Sequence, residues 1–330
     1  MSMSHYHGSD RIEVGVLLPQ GWIDDLNGLG FEYIKRFALT AETLGFDSLW
    51  AYDHFIPYRE YRPFIGKPML ECWTLLSAIA AVTSKIRIGQ VVTCNSYRNP
   101  ALLAKMASTL DYVSNGRLEF GIGAGWYEEE YISYGYTFPR ARVRVEQLDE
   151  ALSIIKSMWV DEASTFHGRY YDVSDAINYP KPLQRPHPPI MVGGSGRLLL
   201  KVAAKHADIY NCPFVDVDEL TDRLSVLKEH CMNIKRDYST IIKSLLMRVI
   251  IAGKHEELID KIKVVKRSDE SIDGFIARNR GSTIVGTPDD VARELQGYAA
   301  IGVRHFILHP LPVEEDLESL RLLIDACKRV

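Results

Sequence analysis

The feature that most restricts what this chain can become is an alternation. Short apolar runs, each followed by a stretch with apolar residues at helical spacing, recur eight times in 330 residues. The runs Ile12–Leu18, Phe46–Ala51, Ile86–Val92, Leu118–Ile122, Ile190–Val192, Ala207–Asn211, Leu245–Ala252 and Arg304–Leu308 read as strands. Helical patterns follow them at Phe31–Leu44, Trp73–Val82, Ala101–Val113, Val143–Trp159, Leu198–His206, Leu220–Ile234, after Thr287, and at Leu317–Arg329. Strands that are apolar on both faces belong to a parallel sheet covered by helices. Eight such units predict a closed (β/α)8 TIM barrel of α/β class rather than an open doubly wound sheet.

Local punctuation agrees. Gly45 follows the first helical pattern, where a residue free to adopt positive φ commonly ends a helix. Thr287–Pro288–Asp289–Asp290 has a capping hydroxyl, a proline suited to the first turn and acids at the positive helix end. Three connections are longer than ordinary: Gly123–Arg142, Asp161–Pro189 and Gly253–Gly286. They read as insertion segments after strands four, five (an extended region) and seven, and such insertions are usually lids or binding loops. The second contains His167–Gly168–Arg169–Tyr170–Tyr171 and a proline-rich run, compatible with a short hairpin. No composition break marks a second domain, so residues 11–330 are expected to form one domain behind a disordered tail over residues 1–10.

Charge excludes several function classes. With 39 basic and 43 acidic residues the net charge is −4, which offers neither nucleic acid nor an anionic membrane surface a basic partner. Five cysteines, widely spaced and without a CxxC pair, read as reduced thiols rather than a disulfide framework or zinc site. The start of the chain lacks the apolar stretch of a signal peptide, and no run approaches the roughly 20 apolar residues of a membrane span. A soluble, cytoplasmic protein is expected.

In a barrel of this kind chemistry gathers where the strands end. Strand one ends at Leu18–Pro19–Gln20 and strand two in Tyr52–Asp53–His54–Phe55. A carboxylate beside an imidazole offers an acid–base pair tunable near neutral pH, or a structural Asp–His that caps the loop. Strand three ends in Thr93–Cys94–Asn95. Strand four ends in Gly121–Ile122–Gly123–Ala124–Gly125–Trp126, which lacks the GxGxxG spacing and suits close backbone approach to a flat ring. Gly193–Gly194–Ser195–Gly196 lies between strand five and a helix, where free N–H groups and the helix end suit a phosphate, or where a tight turn needs positive φ. Of Glu128, Glu129 and Glu130, at most one is expected to matter, because acidic runs are mostly solvated. His305 and His309 fall about 13 Å apart on one strand, too far for one metal ion, so no metal site is expected. Neither a GxSxG elbow nor a Walker loop occurs.

Together these segments resemble the luciferase-like monooxygenase superfamily, including its coenzyme F420-dependent branch. The resemblance covers about residues 12–328 and rests on LGFDSLWAYDHF (Leu44–Phe55) and RNPALLAKMASTLDYVSNGRLEFGIGAGW (Arg98–Trp126). FHGRYY (Phe166–Tyr171), PPIMVGGSG (Pro188–Gly196) and the VGTPDDV helix start complete the set. It implies a flavin- or deazaflavin-dependent oxidoreductase, usually dimeric, with the cofactor ring at the strands' C-terminal mouth. It also implies a non-proline cis peptide near Gln90–Val91 or one bond later.

The resemblance further implies that Asp53 contacts the cofactor and orients His54, which serves the reaction. The matching ring wall is Gln90, Val91, Thr93, Gly123 and Gly125, and Gly193, Gly194, Ser195 and Gly196 hold a phosphate, with Arg197 assisting. The catalytic glutamate of the deazaflavin enzymes aligns near Trp126, leaving Glu130 or Glu128 as the substitute. The cofactor implied is F420, with hydride passing between the deazaflavin C5 and a small organic substrate. The alternative is FMN, with reduced flavin supplied by a reductase partner and oxygen as co-substrate; a third is a non-catalytic flavin-binding protein.

Overall fold

A computed structural model describes residues 11–23, 26, 28–58 and 67–330. The tail expected over residues 1–10 lies outside them. In chain order the elements are β1 (Glu13–Leu17), α1 (Phe31–Leu44), β2 (Ser48–Ala51), α2 (Cys72–Val82), β3 (Arg87–Gln90) and β4 (Thr93–Cys94). A 3-10 turn at Asn95–Tyr97 leads to α3 (Pro100–Val113), β5 (Leu118–Gly123), α4 (Glu128–Ser133) and α5 (Ala141–Val160). Then come β6 (Ala163–His167), β7 (Asp172–Ile177), β8 (Ile190–Gly193), α6 (Arg197–His206), β9 (Ile209–Pro213) and α7 (Val217–Asn233). The chain ends with β10 (Ile242–Ile251), α8 (His255–Val265), α9 (Ile272–Arg278), β11 (Thr283–Gly286), α10 (Pro288–Ala300), β12 (Val303–Pro310) and α11 (Glu318–Cys327).

Eight parallel strand positions close on themselves in the order β1, β2, β3, β5, β8, β9, β10, β12. β4 continues the third position, pairing with β5 beyond a break at Val91 and Val92. The two-residue period sorts each strand into two layers. Leu17, Trp50, Tyr52, Val91, Met191, Ile209, Leu246 and Ile307 fill the inside. Val16, Leu49, Ile88, Phe120, Val192, Cys212, Met247 and Leu308 pack outward against the helices. Gly15 and Gly89 make room for one large inner residue, since a Cβ on either would lie about 2.5 Å from the Trp50 ring.

The helices form for the reasons their sequences give. α1 buries Tyr33, Ile34, Phe37, Ala38 and Ala41 on one stripe and stops at Gly45, whose φ is 91° and whose N–H donates to Ala41. At the start of α10, Asp290 accepts from the backbone N–H of Thr287 at 3.0 Å and from its hydroxyl at 2.7 Å. All five cysteines are buried and free.

The insertions take definite positions. Gly123–Arg142 contains the short helix α4 after the fourth barrel strand, an element the periodicity does not reveal. Asp161–Pro189 carries the antiparallel hairpin β6–β7, but it precedes the fifth barrel strand rather than following it. The Glu150 carboxylate of α5 collects the N–H groups of Arg169, Tyr170 and Tyr171 and so holds the hairpin tip against that helix. Gly253–Gly286 follows the seventh barrel strand and folds into α8, α9 and β11, with β11 extending β10 beyond the reach of β9. Among the described residues no helix is long and apolar enough to cross a membrane.

Candidate active site

A cavity of about 580 Å³ opens at the C-terminal ends of the barrel strands. Its floor and walls are backbone-rich: Val91, Val92 and Thr93 after β3, Gly123–Tyr127 after β5, and Gly193–Leu199 across the β8–α6 junction. The peptide bond Val91–Val92 is cis, one bond beyond Gln90–Val91. Val92 fills the space that side chains on β5 and β8 would need. A Cβ on Gly123 or Gly193 would lie 2.7 Å from Val92, and one on Gly121 would lie 1.8 Å from the Gln90 carbonyl oxygen. The alternate glycines of β5 therefore let the third strand position bulge inward, besides exposing backbone to the cavity. Gly125 is fixed by conformation as well as space, with φ 74° and only 1.9 Å between its would-be Cβ and the Tyr131 hydroxyl.

His54 stands at the cavity wall, and its partner comes from another element. Nδ1 lies 2.8 Å from Oε2 of Glu130, in the short helix α4. The same oxygen accepts the Tyr97 hydroxyl at 2.6 Å. Oε1 accepts the backbone N–H of Ile56 at 3.1 Å and that of Phe55. Glu130 is completely buried, and four donors surround it. Burial pushes its carboxyl up, but the hydrogen bonds and charge of His54, with those of Tyr97 and Phe55, outweigh burial and hold it below the ordinary range. An ionised carboxylate facing Nδ1 fixes a proton there and leaves Nε2 as the exchangeable ring nitrogen. One face of the imidazole stacks on Trp22, with centroids 3.6 Å apart and planes 4° from parallel. Tyr58, Trp126 and Tyr127 pack around Trp22 and complete an aromatic wall.

Asp53 does something else. Adjacent residues leaving a strand point to opposite faces, so Asp53 and His54 diverge. The Asp53 carboxylate is buried and takes a two-pronged contact from Arg98, at 2.6 and 3.0 Å, together with the Cys94 N–H at 2.9 Å. Arg98 also reaches Glu71 at 2.6 Å, which in turn caps the N-terminus of α2. Burial pushes the Asp53 carboxyl up and the Arg98 fork opposes that push. The expected orientation of His54 by Asp53 is thus corrected: Glu130 orients the ring, and Asp53 ties the strand-two end to the loop after β4.

The remaining residues divide between wall and support. Asp53, Val91, Thr93, Gly123, Gly125, Gly193, Gly194, Ser195, Gly196 and Arg197 line the cavity. Gln90 does not; it is buried on the outward parity of β3, with Oε1 accepting the Gly121 N–H at 3.3 Å. Glu130 lies behind His54 rather than in the wall. Of the acidic run, Glu128 is exposed and Glu129 accepts the Tyr127 hydroxyl at 3.2 Å. His305 bonds Ser244 and His309 bonds Tyr52, separately and inside the barrel.

Sequence reasoning missed Trp22, Tyr97, Arg98 and Arg144. Arg144, near the start of α5, lines the cavity, is 8% exposed, and directs its hydrogen bonds to the carbonyl oxygens of Gly125 and Pro139. No carboxylate shares its charge among the described residues. The same cavity is lined by the start of α6, where Gly196 precedes the helix and no side chain caps its first turn. A buried cation and an uncapped helix N-terminus in one cavity suit an anionic group.

A family model described as "Luciferase-like monooxygenase" matches residues 12–305. The chain belongs to the luciferase-like monooxygenase family. It is 30% identical over 299 residues to an F420-dependent glucose-6-phosphate dehydrogenase of Kineococcus radiotolerans, covering 84% of this chain and 86% of that relative. It is 24% identical over 340 aligned positions to an FMNH(2)-dependent dimethylsulfone monooxygenase of Pseudomonas putida, covering 91% and 92%. Among solved structures, an F420-dependent secondary alcohol dehydrogenase in complex with an F420–acetone adduct superposes with a TM-score of 0.80 at 20% identity, over 97% of this chain and 99% of the other. At that identity the likeness concerns the barrel alone. As a member of this family the chain is a flavin- or deazaflavin-dependent oxidoreductase.

Proposed function

We propose that the protein is a coenzyme F420-dependent oxidoreductase acting on a small organic alcohol or the matching carbonyl compound. The observation that carries this reading is the His54–Glu130 pair at the cavity wall. When bound, the deazaflavin supplies a two-electron hydride carrier. A hydride donor or acceptor still needs a partner for the proton on the substrate oxygen, and His54 offers one at Nε2.

The cavity fits the cofactor's parts. Gly193, Gly194, Ser195 and Gly196 at the start of α6 would hold its phosphate, with Arg144 supplying countercharge. The backbone at Val91–Thr93 and Gly123–Gly125 would flank its ring. Glu130 keeps Nδ1 occupied as a donor, Trp22 prevents the imidazole from rotating, and the aromatic wall excludes water from that face. F420-dependent dehydrogenases among the relatives support the choice of cofactor. The FMN reading has the dimethylsulfone monooxygenase in its favour, and would give His54 the role of shielding the flavin site from solvent once oxygen has reacted there.

The two readings separate in one assay. Anaerobic incubation with oxidised F420 and a panel of secondary alcohols should bleach the deazaflavin, and His54→Ala should lose that bleaching while still binding the cofactor. Turnover that requires oxygen and reduced FMN, and ignores F420, would replace this reading with the second.

A further inference from the structure

Glu130 faces His54 with one oxygen, and that oxygen is shared. Oε2 accepts the His54 Nδ1–H at 2.8 Å and the Tyr97 hydroxyl at 2.6 Å. Oε1 cannot exchange roles with it, because the backbone N–H groups of Phe55 and Ile56 hold it. We propose that Tyr97 is a positioning residue that sets how strongly Glu130 holds the His54 ring, by competing with His54 for one carboxylate oxygen. The inference rests on the reading of His54 as the proton-handling group.

Tyr97 is placed for this by a local accident of the chain. It ends the 3-10 turn that follows the Val91–Val92 bulge and β4, so the third strand position delivers it behind the second. Its ring is wedged between Phe55 at 4.6 Å, Tyr131 at 5.0 Å and Tyr136 at 5.0 Å. The phenol therefore cannot swing away from Glu130. Burial and the neighbouring Cys94 and Glu130 push its ionisation upward, so it stays a donor. A phenol donating to a carboxylate withdraws charge from the shared oxygen. With less charge on Oε2, the Nδ1–H bond of His54 is weaker than it would be with Glu130 to itself. Tyr97 thus limits how far the carboxylate can polarise the imidazole, and through it the reactivity of Nε2. The rest of the ring packing is retained when the hydroxyl alone is removed.

The test reads the hydrogen bond itself, in protein carrying isotope-labelled histidine and no cofactor. The low-field Nδ1–H resonance of His54 is assigned by its loss in His54→Gln. Tyr97→Phe is expected to move that resonance downfield, because Oε2 then serves His54 alone. A fluorinated tyrosine at position 97, a stronger donor of nearly the same shape, is expected to move it upfield, and serves if Tyr97→Phe does not fold. In a Glu130→Gln background the Nδ1–H resonance should disappear as the ring proton moves to Nε2, and neither change at position 97 should restore it. No shift, a shift in the reverse direction, or a shift that survives Glu130→Gln overturns the proposal. Because no turnover is measured, the outcome is separate from the redox reading. Full turnover in His54→Ala would sink that reading while leaving the coupling through Glu130 standing.

Discussion

Replacing Glu130 with Gln changes one atom and should cost both stability and catalysis. The carboxylate satisfies four donors: the His54 ring, the Tyr97 hydroxyl and the N–H groups of Phe55 and Ile56. An amide retains one acceptor oxygen. If that oxygen keeps the two backbone donors, the amide N–H2 points at the phenol and at Nδ1–H. The phenol can turn and accept. His54 can accept only by moving its proton to Nε2. Hydrogen bonds to a charged group contribute about 1.5–3 kcal/mol each, and two are lost with partial rescue, so we expect a loss of about 2–4 kcal/mol. The tautomer change also turns the cavity-facing nitrogen from acceptor to donor, for which a fall in turnover of roughly 10²–10³-fold is expected. Urea unfolding monitored by tryptophan fluorescence reads the first quantity, and F420 bleaching the second. The sign of the pH dependence is fixed as well. Glu130 ionises below its unfolded value of 4.5, so its contribution is complete above that pH and is lost as the pH falls through the lower, folded value. A Glu130→Gln protein as stable as wild type at neutral pH, or a gap that does not narrow below pH 4.5, would refute the reasoning.

Three further outcomes follow from separate parts of the structure. Gly125→Ala forces a side chain into left-handed backbone at φ 74° against the Tyr131 hydroxyl, and should lower stability by about 2–4 kcal/mol in thermal unfolding. A neutral result there would mean that the turn after β5 rearranges freely. Arg144→Leu removes the cavity's buried cation and should weaken cofactor binding by roughly tenfold or more, with less effect as salt is raised in both proteins; unchanged affinity would place the anionic group elsewhere. Glu13, raised by burial and by Glu119 and Asp47 to about 8, disfavours the folded state progressively as pH rises from 4.5 to 8. Glu13→Gln should therefore gain stability relative to wild type across that range, by about 2 kcal/mol at the upper end after allowing for partial exposure. A constant difference across the range would contradict it.

How much of this was legible in the residues depends on what each piece of the structure requires. The barrel was readable because strand burial on both faces and helical spacing are local patterns, repeated at every unit from β1 to α11. His54 was readable because it follows a strand end, where a barrel collects its chemistry. The Asp53–His54 adjacency misled for a geometric reason: neighbours in sequence diverge as they leave a strand, and Asp53 turns toward Arg98 instead. The resemblance narrowed the glutamate to Glu130 or Glu128, but its burial could not be foreseen, because it follows from α4, a six-residue helix with no periodic signal. Trp22 reaches His54, and Tyr97 reaches Glu130, through turns whose paths depend on the tertiary fold. Arg144 sits at a helix start rather than a strand end, so reading strand ends alone passes over it.

The most direct test of the central claim is a parallel titration of the cofactor-free protein with coenzyme F420 and with FMN, followed by fluorescence. The account predicts saturable binding of the deazaflavin, retained in His54→Ala and weakened in Arg144→Leu. Binding of FMN alone, with none of F420, would contradict it.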